Sequence, residues 1–569
     1  MSEEPSGDLA LRIWSRKMSE KFVTYLDFGA KGDGVTDDFK AIYEAHEYAN
    51  KNGLTVKTDD GKTYYIHDTL IDGEVRSASI MTDVIWGNSK FIIDDTDIDY
   101  HDGTKRATSY IFNIESEYKK EVISDAEILS RLAGIGEGTK KLDLELGYPA
   151  LVMPADADHH VYIRTGRGGQ QYSAKHEILL VDGDGNIDPS TPFMFDYEKL
   201  TSVSVIRTDI KPITVKGGKF TTRACRINAV NPETGKKLGY YGRGIYINRS
   251  YATLDGVEHY MEGEITTLEH RDLGLRGAHY RGFFVAAYAT DVTIKNCVLT
   301  GRRYYRVSGT YEFSGDHVNK ICLIGCTQSN FVIKDEEGRD VFSMAHSPVS
   351  ETAYCWGIGG TNFCKNMEYI NCKLSRFDAH QGLYNGKIIN STVNFMELIG
   401  KGELLFENLD WNSPAPGKTY NSFAYLRGDY GSTWEGTITY KNCTMHVSPG
   451  DAYVFYHSFT NWDFGYKCYF PNLVIDNPKI EGLEDGARVY IIPPDGTPVR
   501  EPNVHLETTV NVPVKNYDGT DDVGNMHNDN PITPPRFIKI LNNESGCEFY
   551  LKKAPFFDNT EKIGVSEFE

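Results

Sequence analysis

The sequence predicts an all-β chain wound as a parallel β-helix, a solenoid in which each coil adds a strand to long parallel sheets. Three observations predict it. An asparagine recurs at the end of short alternating strands, the spacing between these asparagines follows a near-constant step, and an acidic, glycine-rich run leads into an amphipathic helix near the start.

The asparagines fall in "VTIKNCVLTG" (Asn296), "MEYINCKLSR" (Asn371), "GKIINSTVNF" (Asn390), "LLFENLDWN" (Asn408), "ITYKNCTMHV" (Asn442) and "LVIDNPKIEG" (Asn477), with "ICLIGCTQSN" (Cys326) in the same register. Successive steps from Asn371 are 19, 18, 34 and 35 residues, so the last two are each close to a double step. Asparagine side chains stacked at the strand spacing of about 4.8 Å can bond along such a column, and the neighbouring cysteines suit a small apolar interior position. A β-sandwich would have similar strands but gives no reason for the column to recur.

Each element follows in order. Residues 1–20 form an extension. In "FGAKGDGVTDDFKAIYEAHEYANKNG", Phe39 to Asn50 has Ile42, Ala45 and Ala49 on one face, and it reads as a helix that caps the apolar edge of the first coil. Asp37 or Asp38 is its N-cap, Gly32 and Gly34 permit the tight approach, and Gly53 ends it. The coil is expected to span residues 21–485 and to be under way by about residue 65, with "ITVKGGKFTT" and "ATLDGVEHYMEG" as early rungs. An inserted β-rich piece spans about 115–210, and residues 486–569 alternate like the strands of a C-terminal cap. "DGDGNID" has the alternating oxygens of a calcium loop, but its twelfth position is Phe193 and strands flank it, so it reads as a hairpin turn.

Composition excludes several roles. The chain of 569 residues carries a net charge of -20. Binding nucleic acid or an anionic membrane needs clustered Lys and Arg, so neither is expected as a partner, and a polyanionic substrate is disfavoured. No run has the length of a membrane helix and the N-terminus lacks the pattern of a signal peptide. The expected location is therefore cytoplasmic, or a virion tail if the gene is a phage's. Ten cysteines without a CxxC pair make neither a disulfide scaffold nor a zinc site.

"FGAKGDGVTDDFKAI" resembles the N-terminal motif of the pectate-lyase-like superfamily of right-handed parallel β-helix proteins, which includes polygalacturonases, β-1,3-glucanases and many phage tailspikes. The resemblance covers about residues 22–70 and implies a right-handed coil that acts on carbohydrate. It does not extend to the polygalacturonase site, because NTD, GHG and RIK are all absent and the DD pairs stand at 37, 59, 94 and 521.

Candidate chemistry lies where polar residues depart from the repeat. Hydrolysis of a glycosidic bond needs two carboxyl groups about 5 to 5.5 Å apart for retention or roughly 6.5 to 9.5 Å for inversion. Elimination on a uronic acid needs a base and a neutraliser, often calcium. The first cluster, "LSRFDAHQGLYNG", reads as a Gly-flanked turn with Asp378 and His380 as catalytic candidates and Arg376 and Tyr384 as substrate contacts. The second, around "RRYYRVSGTYEFSGDHVN", offers Asp316 as a second carboxylate, Glu312 as its alternative, and Arg303, Tyr304, Tyr305 and His317 as binding residues. The third, "TTLEHRDLGLRGAHYRG", holds Glu269 and Asp272 with Arg271 beside them.

Taken together, the sequence predicts an enzyme that cleaves a poly- or oligosaccharide, with hydrolysis by paired carboxylates ahead of elimination. A tailspike-type protein that binds or depolymerises glycan is the alternative. No cofactor or metal is expected unless the reaction is an elimination, which would call for Ca2+. A monomer or homo-oligomer fits, and a trimer if the chain is a tailspike.

Overall fold

A computed structural model of the chain describes residues 21–99, 110–161, 173–227, 231–235, 242–263, 281–300, 303–304, 311–329, 332–334, 340–342, 354–355, 361–393, 395–412, 421–427, 430, 433–457, 468–491, 514–515, 521–522, 535–551, 561–563 and 565–567. The chain is a right-handed parallel β-helix. The described residues fall into two compact units, one built from residues up to 117, 209–314 and 322–358, the other from 118–208, 315–321 and 359 onward. Among them, no helix is long and apolar enough to cross a membrane.

In the first unit, parallel pairing climbs from Phe22–Thr24 through Thr55–Lys57 and Val84–Asp94 to Ile213–Arg223 and Ala252–Asp255. Parallel pairing thus begins at Phe22. Inside it, Tyr64, Phe91 and Phe220 lie on successive rungs, with ring centroids 5.3 and 4.5 Å apart.

The capping helix α1 runs over Phe39–Asn52, two residues beyond the expected end, and buries Phe39, Ala41, Ile42, Ala45, His46 and Ala49. Asp38 holds the N-cap position, but its carboxylate turns back to accept the amides of Lys31 (2.6 Å) and Gly32 (3.1 Å). Asp37 accepts the Phe39 amide instead, at 3.0 Å. The glycine-rich run thus wraps a buried carboxylate, which requires Gly32 and Gly34 at φ of 59° and 78°.

Beneath the helix, the Tyr25 hydroxyl pairs with His46 Nε2 at 2.9 Å and accepts from Trp86 Nε1 at 2.8 Å. Burial pulls the His46 pKa from 6.5 down to about 3. The folded state therefore refuses a proton that the unfolded chain takes. The contribution is intact above pH 6.5 and is lost as pH falls toward 3, at about 1.4 kcal/mol per unit. Thermal melts between pH 7 and 4 are expected to show this slope, and His46→Phe to flatten it.

The asparagine column is real, and its main cause is the backbone. Asn296, Asn371, Asn390, Asn408, Asn442 and Asn477 all adopt left-handed φ between 50° and 55°, with Gly325 (62°) in the register of the Cys326 rung and Asn542 (47°) a further member. Asparagine, with aspartate, tolerates this conformation better than other non-glycine residues, and the chain turns a corner there. Ladder bonds add to it: Asn408 Nδ2 donates to Asn390 Oδ1 (2.8 Å) and Asn477 Nδ2 to Asn442 Oδ1 (2.9 Å). Cys297, Cys326, Cys372 and Cys443, each next to a column position, are buried. Asn442→Ala is expected to cost about 1 to 2 kcal/mol in denaturant unfolding, and Asn442→Gly less, because glycine keeps the φ and loses only the ladder bond.

In the second unit, the inserted piece is an antiparallel sheet in the order Glu121–Ile123, Ser202–Arg207, β1 (Ala150–Val161) and β2 (Ser173–His176), with Leu179–Val181 also on β1. It has its own core, including Leu132, Val152, Leu179, Phe193 and Val205. "DGDGNID" closes a hairpin in which Asp182 Oδ1 accepts the amides of Asp184 (2.9 Å) and Asn186 (2.8 Å), so the turn satisfies its own carboxylate.

The rungs of this unit form two parallel stacks. One runs through β3 (Thr361–Ile370), Gln381–Ile389, Gly400–Glu407, Trp434–Lys441, Asn472–Asp476 and Phe537–Leu541. The other runs through β4 (Arg376–Asp378), β5 (Phe395–Leu398), β6 (Ser422–Leu426), Ala452–His457, Val489–Tyr490 and Phe549–Leu551. Parallel pairing thus continues past residue 485. Closure comes from Glu561–Ile563 and Val565–Glu567, which pair antiparallel with the last coil.

Candidate functional site

The side chains that bear chemistry in the second unit lie on two adjoining faces. On β4, Phe377 packs inward, 5.2 Å from Tyr369 and 6.3 Å from Phe406 between ring centroids. Alternation therefore turns Arg376 and Asp378 to the opposite face. On β5, Met396 and Leu398 are core residues and Glu397, between them, shares the face of Asp378, its register partner. Tyr425 and Tyr456 continue the column. The stretch expected as a turn is thus a strand, and Asp378 is fully buried.

Two guanidinium groups balance this carboxylate pair. Arg376 Nη2 donates to Asp378 Oδ2 at 2.6 Å and also to Glu397 Oε2, while Arg427 Nη1 lies 3.8 Å from Glu397 Oε2. Two acceptors on one nitrogen stand about 5 Å apart or less. Arg427 lies 4.9 Å from the Tyr430 ring, Tyr430 meets His380 edge-on at 6.0 Å, and His380 Nδ1 is 3.2 Å from Asn362 Oδ1. One continuous set of contacts therefore leads from Asp378 to β3.

The second face is built where β3 turns a corner. Asn362 opposes Gln381 and Cys364 opposes Leu383, so Phe363 faces Gly382. His317, Phe363 and Gly382 all have left-handed φ, of 52°, 51° and 74°. The His317 and Phe363 rings stack at 5.1 Å. His176, from β2 of the inserted sheet, packs on both, at 4.7 Å from His317 and 4.1 Å from Phe363. His317 donates Nδ1–H to Asp316 Oδ1 at 2.5 Å, and the Asp316 side chain is 41% exposed. Burial, reinforced by His317, pulls the His176 pKa down to about 4, so its ring is neutral at pH 7.

A buried ion pair holds β2 over this corner. Lys365 Nζ, on β3, donates to Glu177 Oε2 (2.8 Å) and to the Pro192 carbonyl (2.6 Å). Glu177 also accepts the amides of Met194 (2.7 Å) and Phe195 (3.0 Å). Gln381 Nε2 reaches Ser173 Oγ at 3.3 Å.

Of the residues expected from the sequence, Asp378, Arg376 and His380 join one network, and Asp316 and His317 form a bonded pair on a neighbouring strand. Tyr384 lies beyond the corner, half-buried, 5.5 Å from Lys365 Nζ, and burial raises its pKa. Glu312 belongs to the first unit, buried against His259 Nδ1. Arg303 and Tyr304 are placed as a strand only, and Glu269, Arg271, Asp272 and Tyr305 lie outside the described residues. Sequence reasoning missed Glu397, Arg427, Tyr430 and His176. Glu397 had a signal, since it follows Asp378 by the same 19 residues that separate Asn390 from Asn371. Among the described residues, no group of three or more His, Cys, Asp or Glu is arranged to hold a metal ion.

Several solved structures are similar to this chain. The tailspike gp61 of Pseudomonas phage phi297 is 12% identical over 84% of this chain and 82% of its own, with a TM-score of 0.42. The tailspike gp49 of Pseudomonas phage LKA1 is 10% identical over 83% and 80%, with a TM-score of 0.43. The Gp54 tailspike of Acinetobacter baumannii bacteriophage AP22, solved with capsular saccharide, is 10% identical over 85% and 79%, with a TM-score of 0.41. No protein-family model matches the sequence, nor does any curated protein.

Proposed function

We propose that the chain is a glycan depolymerase of the tailspike kind, which cleaves a polysaccharide by hydrolysis at the face carrying Asp378 and Glu397. One observation carries the reading: two carboxylates stand in register on adjacent rungs, on one face, and share one guanidinium nitrogen. Their separation, about 5 Å or less, lies nearer the retaining arrangement than the inverting one. Arg376 is bonded to both carboxylates and Arg427 stands near Glu397, and a carboxylate held by guanidinium groups suits a nucleophile or base. Glu397, with 5% of its side chain exposed, takes that role, and Asp378 beneath it orients Arg376. His380, joined to the network through Tyr430, is the proton donor.

A second reading is binding without cleavage. It is favoured by the full burial of Asp378 and by the match of two carboxylates to two guanidinium groups, an arrangement that also suits a purely structural cluster.

The test is a panel of neutral and uronic polysaccharides, each reaction read for new reducing ends and for the ultraviolet absorbance of unsaturated products. Reducing ends without absorbance support hydrolysis. Absorbance transfers the reading to elimination, and binding with neither signal supports the second reading. Hydrolysis by this pair needs no metal, so a chelator is expected to leave the rate unchanged; a loss restored by calcium would point to elimination. A tailspike role also implies a homotrimer, which sedimentation velocity checks.

A further inference from the structure

The corner that carries His317 and Phe363 is costlier than the coil needs. A bulky side chain at φ near +50° is strained, and the next rung meets the same corner with Gly382. The fold therefore tolerates glycine here, yet the corner is filled by two rings that are themselves buried, Phe363 and His317, with the exposed Asp316 beside them. What the rings provide is a flat stack, completed by His176 from a segment 141 residues earlier and held in place by the buried Lys365–Glu177 pair.

Polar groups fence the stack. Asp316 is bonded to His317 and remains substantially exposed. Asn362 meets His380, and Gln381, the register partner of Asn362 on the next rung, meets Ser173. Hydroxyl groups of a sugar suit an accessible carboxylate, which is a pure acceptor, and the surrounding amides and imidazoles supply both donors and acceptors. An acidic sugar does not suit it, because His176 is neutral and Asp316 would repel a second carboxylate.

The geometry points to a subsite, separate from the carboxylate pair, in which Asp316, His317 and His176, with Asn362 and Gln381 on the next rungs, hold one neutral, hydroxyl-bearing sugar of the glycan. The inserted sheet is on this account part of the substrate site, since β2 brings both His176 and Ser173. The inference rests on the proposed glycan reading and names the sugar class that the site takes.

The experiment uses the full chain with Asp316→Asn, whose amide oxygen still accepts from His317, and His176→Phe, which keeps a flat ring in the stack. For a cleaved neutral polysaccharide, each variant is expected to raise KM about tenfold with kcat within about twofold, as loss of a hydrogen bond to a charged group would. Neutral oligosaccharides are expected to compete with the polymer and uronate oligosaccharides are not. Unchanged KM in both variants, or equal competition by uronates, overturns the subsite while leaving the depolymerase reading intact. If no glycan is cleaved, retention on immobilised neutral glycan decides: retention lost in Asp316→Asn upholds the subsite without the reaction, and retention unaffected by it overturns the subsite.

Discussion

Glu397→Gln is expected to lower kcat on the cleaved glycan by about 10^2- to 10^4-fold, the usual contribution of a positioned acid, base or nucleophile. The fold should survive, because the glutamine oxygen still accepts from Arg376. KM should change little if the group acts mainly in the transition state. Asp378→Asn is expected to cost less activity and more stability, since Asp378 works through Arg376 and is the more buried member. Steady-state kinetics and thermal melts on both variants check this. Unchanged kcat in both, with lowered melting temperatures, would assign the network to stability and leave binding as the function of the face.

The second large effect is expected at the ion pair that docks the inserted sheet. Lys365→Met would strand Glu177, 1% exposed, with two backbone amides for partners among the described residues. Breaking a buried pair by removing one member costs about 3 to 5 kcal/mol. Burial already pulls the Lys365 pKa down, against the pull of Glu177, so the site is costly to charge and depends on the pairing. Denaturant unfolding should show the loss, and limited proteolysis should cut within residues 118–208 before the coil. Lys365→Met combined with Glu177→Gln should recover much of it, because the remaining buried group is then neutral.

The coil was legible because its signal is local and repeated. An asparagine at a left-handed corner appears once per turn at a near-constant step, and a residue with that preference marks the corner whatever the rest of the rung does. The helix at 39–52 was legible for a similar reason, through apolar spacing and flanking glycines. The candidate site was legible only in part. Asp378, Arg376 and His380 stood out as polar departures, but whether a strand residue faces in or out depends on the parity of its neighbours, and "SRFDAHQG" alternates too briefly to reveal it. The contribution of His176 had no sequence signal, since an insertion folded on its own core meets the rungs through contacts such as Lys365 to Glu177, 188 residues apart. The sequence left open whether Asp37 or Asp38 caps the helix, because both carboxylates are next to its start and only the loop path decides which turns back.

The break in the first coil bears on how the chain is made. Val84 pairs with Val215, so the strand Val84–Asp94 waits for 131 further residues to leave the ribosome before its neighbour arrives. Throughout that interval a nascent chain carries an open β-edge, the feature most prone to capture another chain. The inserted sheet, synthesised during the wait and supplied with its own core, can form on its own. Translation speed through residues 95–215 should therefore govern soluble yield more strongly than speed through the regular rungs of residues 361–441, where each strand meets its next partner within a few tens of residues.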